Sequence, residues 1–350
     1  MRTALAISAI AMEVAMILLI LGLTDGLVGE STRRQRGIGA DILIRPSTSS
    51  SALTSGAVGI EESMVDEIEK LPGVKMAVGT VFSMSSGINT VTGVDIEKLS
   101  RMAGDLGYLA GGPFEGPYET VIDEYYAKQS NLSVGGTLNL LNRDFKVTGI
   151  IGAGKASRIF VPIKTKQKLT RSEGQLSQVY VQLDDPDQAM AFSEELKTIY
   201  PDNRIYTMEE FISMFTSQTR GMVDEFVSVI VGIAIAVGLI VVLISMYTAV
   251  LDRTREIGIL KSLGASPGYI VNIFLTETAI LTVVGLALGI GIAHLAEFAL
   301  ENRFPLLTVS ILQSHLIRVT LIALIGSAAG ALYPSLKAAR QDPIEALAYE

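Results

Sequence analysis

Long runs of apolar residues lie at the start of the chain and through its last third. A bilayer core of about 30 Å needs roughly 20 apolar residues in a helix, and four runs reach this length. They extend from Thr3 to Leu23, from Phe226 to Val250, from Ile270 to His294 and from Leu316 to Leu336. The pattern predicts four transmembrane helices, one near the start and three close together near the end.

Three of the four runs contain an ionisable residue: Glu13 in the first, Glu277 in the third and Arg318 near the start of the fourth. Ionisable side chains inside a membrane are functional candidates by default. Glu277 lies about seven residues past the predicted start of its helix, roughly 10 Å deep at the rise of an α-helix. We therefore expect Glu277 to reach the interface or to pair with a nearby Lys or Arg.

The first run resembles a secretory signal in its position but not in its length. The apolar part of such a signal covers about 7–15 residues, and no Ala-x-Ala cleavage site lies between Leu23 and Glu30. We expect a membrane anchor that is retained, occupying residues 1–28.

Residues 29–222 are polar enough, and rich enough in turn signals, to form a folded α+β domain. Helices are predicted at 60–71 and 187–200, and a strand followed by a helix at 119–132. Further strands are predicted at 40–45, 74–81, 87–94, 138–141, 145–151, 159–162 and 179–183. The fold class is therefore a membrane protein of four transmembrane α-helices, with a large α+β domain inserted between the first and second.

Lys and Arg place this domain outside the cytoplasm. The connection after the second run carries Arg253, Arg255 and Lys261, and the segment after the fourth carries Lys337 and Arg340. Positive residues in short connections favour the cytoplasmic side. The three arginines that follow the first run favour the opposite orientation. Long domains, however, translocate largely regardless of charge.

Composition excludes several classes of function. The chain is 49% hydrophobic, carries a formal charge of −8, and contains no Cys and two His. The negative charge argues against nucleic-acid binding, and the absence of Cys excludes thiolate chemistry and Cys-ligated metals. Gly149–Lys155 matches part of a phosphate-binding loop, but Ala156 replaces the Ser or Thr that would hold Mg²⁺. The carboxylates of 184–187 open a predicted helix and are explained by capping.

The connection from Asp252 to Pro267 is the most informative segment. Read as a helix, it places Ile257, Leu260 and Gly264 on one face among charged residues. Such a helix either lies on lipid headgroups or fits a groove on a partner protein, and the residues alone favour neither. A second short helix is predicted after the fourth run, because Asp342 suits an N-cap and Pro343 the first helical position.

These two segments resemble the signature stretches of the FtsX/MacB-like family of ABC transporter permeases, and the order of spans and domain is similar to that family too. The stretches are Arg253–Ser266 and Tyr333–Leu347, with weaker similarities at Val91–Asp95, Glu119–Asp123, Val134–Thr137 and Phe145–Gly149. The resemblance assigns residues 29–222 to an extracytoplasmic (periplasmic) domain. It assigns residues 223–350 to an FtsX-like permease domain, with a cytoplasmic coupling helix at 252–266 and a cytoplasmic tail at 337–350.

The resemblance implies the permease subunit of a transporter in the inner membrane of a bacterium. Such a subunit dimerises, binds two copies of a separate cytoplasmic ATPase, and passes the ATP-driven movement to its periplasmic domain for export or extraction of a substrate. It has no catalytic residue, cofactor or metal of its own. A periplasmic adaptor or envelope protein and membrane lipids are further partners that the family allows.

The implied contacts fall on specific residues. Those expected to couple to the ATPase are Arg253, Arg255, Glu256, Ile257, Leu260, Lys261, Leu263 and Gly264, and those expected at a second cytoplasmic contact are Arg340, Asp342 and Pro343. Two other functions stay open: a mechanical signalling subunit that regulates envelope or cell-wall enzymes, and a proton-coupled secondary transporter using Glu13 and Glu277. The absence of visible inverted repeats argues against the secondary transporter.

Overall fold

The computed structural model describes residues 2–47, 59–84 and 90–342. Its helices are α1 (Arg2–Arg36), α2 (Ser63–Ile68), α3 (Ile96–Met102), α4 (Glu124–Ser130), α5 (Ile163–Thr170), α6 (Ala189–Ile199), α7 (Met208–Asp252), α8 (Thr254–Ser262), α9 (Pro267–Arg303) and α10 (Gln313–Arg340). Its strands are β1 (Ile42–Pro46), β2 (Ile60–Glu61), β3 (Val74–Met84), β4 (Thr90–Val94), β5 (Tyr108–Gly111), β6 (Glu119–Asp123), β7 (Thr137–Leu140), β8 (Arg143–Ile151), β9 (Ile159–Pro162), β10 (Gln175–Leu176), β11 (Gln178–Leu183) and β12 (Asn203–Thr207).

The chain divides into two compact units. The helical unit comprises Met1–Leu27, Met222–Asn302 and Leu307–Glu350, and the α+β unit comprises Val28–Gly221 with Arg303–Leu306. Helices α1 and α7 therefore each contribute residues to both units.

Four helices of the described chain are long and apolar enough to cross a membrane, namely α1, α7, α9 and α10. Each contains one of the predicted runs and extends beyond it, which confirms the four apolar helices expected from the sequence. Large apolar side chains such as Phe226, Leu295 and Ile325 are exposed on them, as expected for surfaces that face lipid. Helix α10 continues through Pro334 to Arg340, so the first residues of the predicted tail are helical.

The core of the helical unit forms around α1. Val14, Ile17 and Leu18 are at most 1% exposed. Gly285 and Gly289 of α9 allow close approach to this helix. A Cβ at Gly289, for example, would lie 2.7 Å from the Ala11 carbonyl oxygen. The packing of α9 on α1 therefore depends on small residues, as is common between membrane helices.

The α+β unit is built on a sheet of ten strands in the order β12-β1-β11-β3-β4-β9-β6-β8-β5, with β7 paired to β8. Alternate residues of a strand point to opposite faces. On β1, Leu43 enters one hydrophobic core, whereas Ile42 and Ile44 enter another. Both faces of this sheet are therefore covered, which explains why the central strands are almost continuously apolar.

Most predicted elements of this unit are confirmed. The strand–helix pair at 119–132 is present, and the strands predicted at 138–141 and 145–151 form the hairpin of β7 and β8, whose two-residue turn is Leu141-Asn142, both with positive φ. The helix predicted at 60–71 is wrong at its ends, because Ile60 and Glu61 pair with β10 and α2 ends at Ile68. Helices α3 and α5 and strands β5, β10 and β12 were not predicted.

Candidate functional site

The connection between α7 and α9 folds as the short helix that the sequence predicts. Gly264 has φ +96°, and it ends α8 by donating its N–H to the Lys261 carbonyl at 3.0 Å while Ala265 donates to the Leu260 carbonyl at 3.0 Å. This pair of bonds is a Schellman motif, which favours glycine at the left-handed position. The Ser266 hydroxyl then accepts the Tyr269 N–H at 3.2 Å as α9 begins.

The apolar face predicted for this helix packs into the helical unit itself. Ile257 is 4% exposed and belongs to the core of the spans, and Leu260 packs against the same core. The outer side carries Ile259, 44% exposed, and Leu263, 81% exposed. Ile257 and Leu260 therefore position the helix, and its exposed apolar side chains are Ile259 and Leu263.

Polar contacts also hold the connection in place. Lys261 donates from Nζ to the carbonyl oxygen of Ala339 at 2.9 Å and to that of Gln341. Arg253 forms an ion pair with Glu277, with 3.0 Å between Nη1 and Oε2. The pairing expected for Glu277 is thereby confirmed.

Other predicted contact residues remain at the surface. Arg255, Glu256 and Gly264 are exposed, and so are Arg340 and Asp342. Pro343 and the helix predicted to begin there lie outside the described residues.

Glu13 lies apart from the pair of Glu277 and Arg253. It lines a cavity of about 20 Å³ between α1, α7 and α10, together with Gly238 and Ser327. A cavity of this size holds about one water molecule. A Cβ on Gly238 would collide with the Glu13 carboxylate, so glycine at this position is what leaves room for the acid.

His315 has an acidic partner that the sequence does not reveal. Its Nε2 lies 2.9 Å from Oδ2 of Asp25, and its side chain is 6% exposed. The Gly22 carbonyl also accepts the Ser310 N–H at 2.8 Å. These contacts join α1 to the segment that leads into α10. The partners are 290 positions apart in a chain of 350 residues, so no local spacing could indicate them.

A cluster of buried charges lies in the α+β unit. Glu30 is 2% exposed and pairs with Arg34 at 3.4 Å, and Asp123 and Arg158 are buried nearby in electrostatic contact with them. Burial raises the pKa of Asp123, against the lowering effect of the Tyr126 N–H, and burial lowers the pKa of Arg158. The cluster joins the last turns of α1 to the ends of β6 and β9.

The segment Gly149–Lys155, which matches part of a phosphate-binding loop, comprises the end of β8 and the turn that follows it. After β8 ends at Ile151 the chain turns into β9 rather than into a helix, and Lys155 donates to the Ala103 carbonyl at 3.0 Å. Within the described residues no group of three or more His, Cys, Asp or Glu side chains is arranged to hold a metal.

Lys166 is a buried cation that the sequence does not single out. It is 0% exposed on α5 and donates from Nζ to the Val91 carbonyl. Its burial lowers its pKa from 10.5 to about 7. Between these two values the unfolded chain holds a proton that the folded chain has released, so stability rises as the pH increases through this window.

We therefore expect Lys166→Met to remove a pH dependence. The full chain in detergent should become more stable between pH 7 and 9.5, and Lys166→Met should show a smaller rise and a higher melting temperature at pH 7. The expected difference at pH 7 is of the order of 1 kcal/mol or more. Lys168→Met, exposed on the same helix, is the control, and equal pH profiles for both variants would contradict the assignment.

Comparisons with known proteins agree with this architecture. Residues 3–199 match the MacB-like periplasmic core domain, and residues 228–343 match the FtsX-like permease C-terminal domain. The ABC transporter permease YknZ of Bacillus subtilis is 30% identical over 286 residues, covering 77% of this chain and 70% of that protein. The macrolide export ATP-binding/permease protein MacB of Escherichia coli K12 is 26% identical over 230 residues, and the match covers 62% of this chain and 35% of MacB.

Solved structures of two extramembrane regions are also similar. The periplasmic region of MacB from Actinobacillus actinomycetemcomitans covers 50% of this chain at 18% identity, with a TM-score of 0.40, and 92% of that chain is matched. The extracellular domain of YknZ covers 48% at 16% identity, with a TM-score of 0.37 and 99% of that chain matched. Because the two domain matches together span most of the sequence, the chain belongs to the MacB/FtsX-type family of ABC transporter permeases.

Proposed function

We propose that the chain is the membrane subunit of an ABC transporter and docks a separate cytoplasmic ATPase through α8. The observation that carries this proposal is Leu263, an apolar side chain that is 81% exposed at the end of a helix whose opposite face packs against the same chain. Ile257 and Leu260 seat that helix in the core, and Lys261 ties it to the end of α10. A short helix that exposes Leu263 at its end and Arg255 and Glu256 in its first turn suits a groove on a partner.

We propose that helices α1 and α7 carry the ATP-driven movement to the α+β unit. Helices α1 and α7 each supply residues to both units, and the backbone of an α-helix is hydrogen-bonded along its length. The last turns of α1, with the paired charges of Glu30 and Arg34, belong to the α+β unit. We propose that two permease chains and two ATPase subunits form the working assembly in the inner membrane of a bacterium.

The name of MacB says that it exports macrolides, and we propose export or extraction of a substrate by this chain as well. A signalling subunit would use the same docking helix without moving a solute. Measuring ATPase-driven transport and ATPase binding separately distinguishes the two.

Orientation can be tested because the chain has no native Cys. We expect Ser133→Cys, exposed in the α+β unit, to react with a membrane-impermeant maleimide in intact spheroplasts. Ser262→Cys, exposed at the end of α8, should react only after permeabilisation. The reverse pattern would place α8 on the outer side and would overturn the docking proposal.

A further inference from the structure

The α+β unit contains a cleft of about 800 Å³ that the docking proposal does not use. Residues of α2, β3 and β4 line it, together with the first turns of α3 and α5 and the loop 114–117. Clefts of roughly 300–1,000 Å³ are typical of small-molecule sites. Its size therefore suits an organic ligand rather than a single ion.

Apolar side chains form much of the cleft lining. Val65, Val78, Ile96 and Leu176 are at most 7% exposed, and Phe114 is half-buried at the edge of the cleft. These positions belong to five different segments of the unit. The four buried side chains are packed into the cores beneath the cleft, and the apolar surface open to a ligand is formed by the half-buried side chains of Phe114, Pro162 and Ile163.

Charge around the cleft is unbalanced. Five acidic residues and two lysines line it, namely Glu62, Asp66, Asp95, Glu97, Glu115, Lys98 and Lys164. Both lysines are already neutralised: Lys164 pairs with Glu62 at 2.7 Å, and Lys98 pairs with Glu69 at 3.3 Å. The cleft therefore offers no uncompensated cation among its described lining residues, and an excess of carboxylates.

Three of these carboxylates, those of Asp66, Glu97 and Glu115, are exposed and form no ion pair within the described part of the chain. Asp95, in contrast, is occupied as the N-cap of α3, accepting the N–H groups of Glu97 and Lys98 at 3.1 Å. The three free carboxylates belong to three different segments around one opening.

The loop that carries Phe114 and Glu115 is held in position. Oε2 of Glu119 accepts the N–H groups of Glu115 and Gly116, each at 2.8 Å. These two bonds fix the backbone of the loop that carries Phe114 and Glu115 at the edge of the cleft. Preorganisation of this kind reduces the entropic cost of binding.

We propose that the cleft binds an organic cation with an apolar body, such as an amine-bearing amphiphile. The apolar body would rest on Phe114, Pro162 and Ile163, and the cationic group would face Glu97 and Glu115. An anionic ligand would be repelled by the carboxylates, because both lysines of the cleft are already paired. A neutral ligand would make no charge contact. This inference concerns the α+β unit alone and stands whether or not α8 docks an ATPase.

The test uses three probes that share one fluorescent group and differ in charge. The probes are dansylcadaverine, which is cationic, N-pentyl dansylamide, which is neutral, and N-dansyl-6-aminohexanoate, which is anionic. Each is titrated into the full chain in nanodiscs of neutral lipid, with empty nanodiscs subtracted. We expect saturable binding of the cation, with one site per chain, and an affinity at least fivefold higher than for the other two.

Two double variants with the same change of charge locate the site. Glu97→Gln with Glu115→Gln should weaken binding of dansylcadaverine about five- to tenfold, as the loss of two surface charge contacts allows. Glu194→Gln with Glu195→Gln, exposed on α6 outside the cleft, should leave it unchanged. Phe114→Ala should weaken binding of all three probes.

Several results would overturn the proposal. Equal binding of the three probes would show that charge is not recognised, and equal losses in the two double variants would show attraction to the net charge of the chain alone. Absence of saturable binding to the wild-type chain would exclude the site. Replacing Glu97 and Glu115 by Lys should reverse the preference toward the carboxylate probe, and failure of this reversal in a folded variant would contradict the assignment too.

Discussion

Leu263→Asp is expected to abolish binding of the ATPase subunit and its stimulated hydrolysis, with insertion of the permease intact. Leu263 is 81% exposed at the end of α8, so the substitution costs little in the free permease. In a docked complex it would bury an unpaired carboxylate, which costs several kcal/mol. That cost corresponds to a loss of affinity of about 100-fold or more. Co-purification with the cognate ATPase and turnover in liposomes measure both effects.

Two further aspartates separate docking from folding. Leu109→Asp, at a residue 62% exposed on β5, makes the same chemical change in the α+β unit and should leave ATPase binding at the wild-type level. Leu260→Asp should instead lower the melting temperature and the yield, because Leu260 packs against the core of the spans. Wild-type association of Leu263→Asp would show that α8 merely lies on the bilayer.

Gly289→Val is expected to force α9 away from α1 and to destabilise the helical unit. Its Cβ would lie 2.7 Å from both the Ala11 carbonyl oxygen and the Val14 Cβ, and Val14 is 1% exposed. Since backbone cannot rotate away as a side chain can, the helices must separate. Overpacking of this kind costs about 1–3 kcal/mol, and the added branches of valine place this variant at the upper end.

The control for this prediction lies two positions along the same helix. A Cβ at Gly291 would meet no heavy atom within 4 Å, so Gly291→Val carries the same change in helix propensity without the clash. Thermal unfolding in detergent should therefore show a drop of several degrees for Gly289→Val only. If both variants melt alike, the close packing of α1 and α9 does not limit the stability of the unit.

Local signals in the sequence were enough for much of the fold. The four apolar runs predict α1, α7, α9 and α10 because length and hydrophobicity are properties of a continuous segment. Gly264 and Pro267 bracket the turn between α8 and α9 for the same reason, since a left-handed residue and a helix start are each set by the local backbone. The short helix between two spans therefore needed no knowledge of distant residues.

Local signals were weaker where pairing is distant. Strand β12 pairs with β1, about 160 positions away along the chain, and β2 pairs with β10; a two-residue strand has no pattern of its own. The ends of the helix predicted at 60–71 were wrong for this reason, because pairing with β10 removes Ile60 and Glu61 from the helix. Strand formation depends on the neighbour as much as on the segment.

By itself, then, the sequence determined the four apolar helices, the α+β character of the middle segment and the short helix after the second span. Only the tertiary structure decided which side of that helix is open: Ile257 and Leu260 turn inward, and Leu263 faces outward. It also brought Asp25 to His315 and set the acidic residues of three segments around one cleft. The physical reason is that periodicity shows that a face is apolar, whereas only packing decides whether the same chain or a partner covers it.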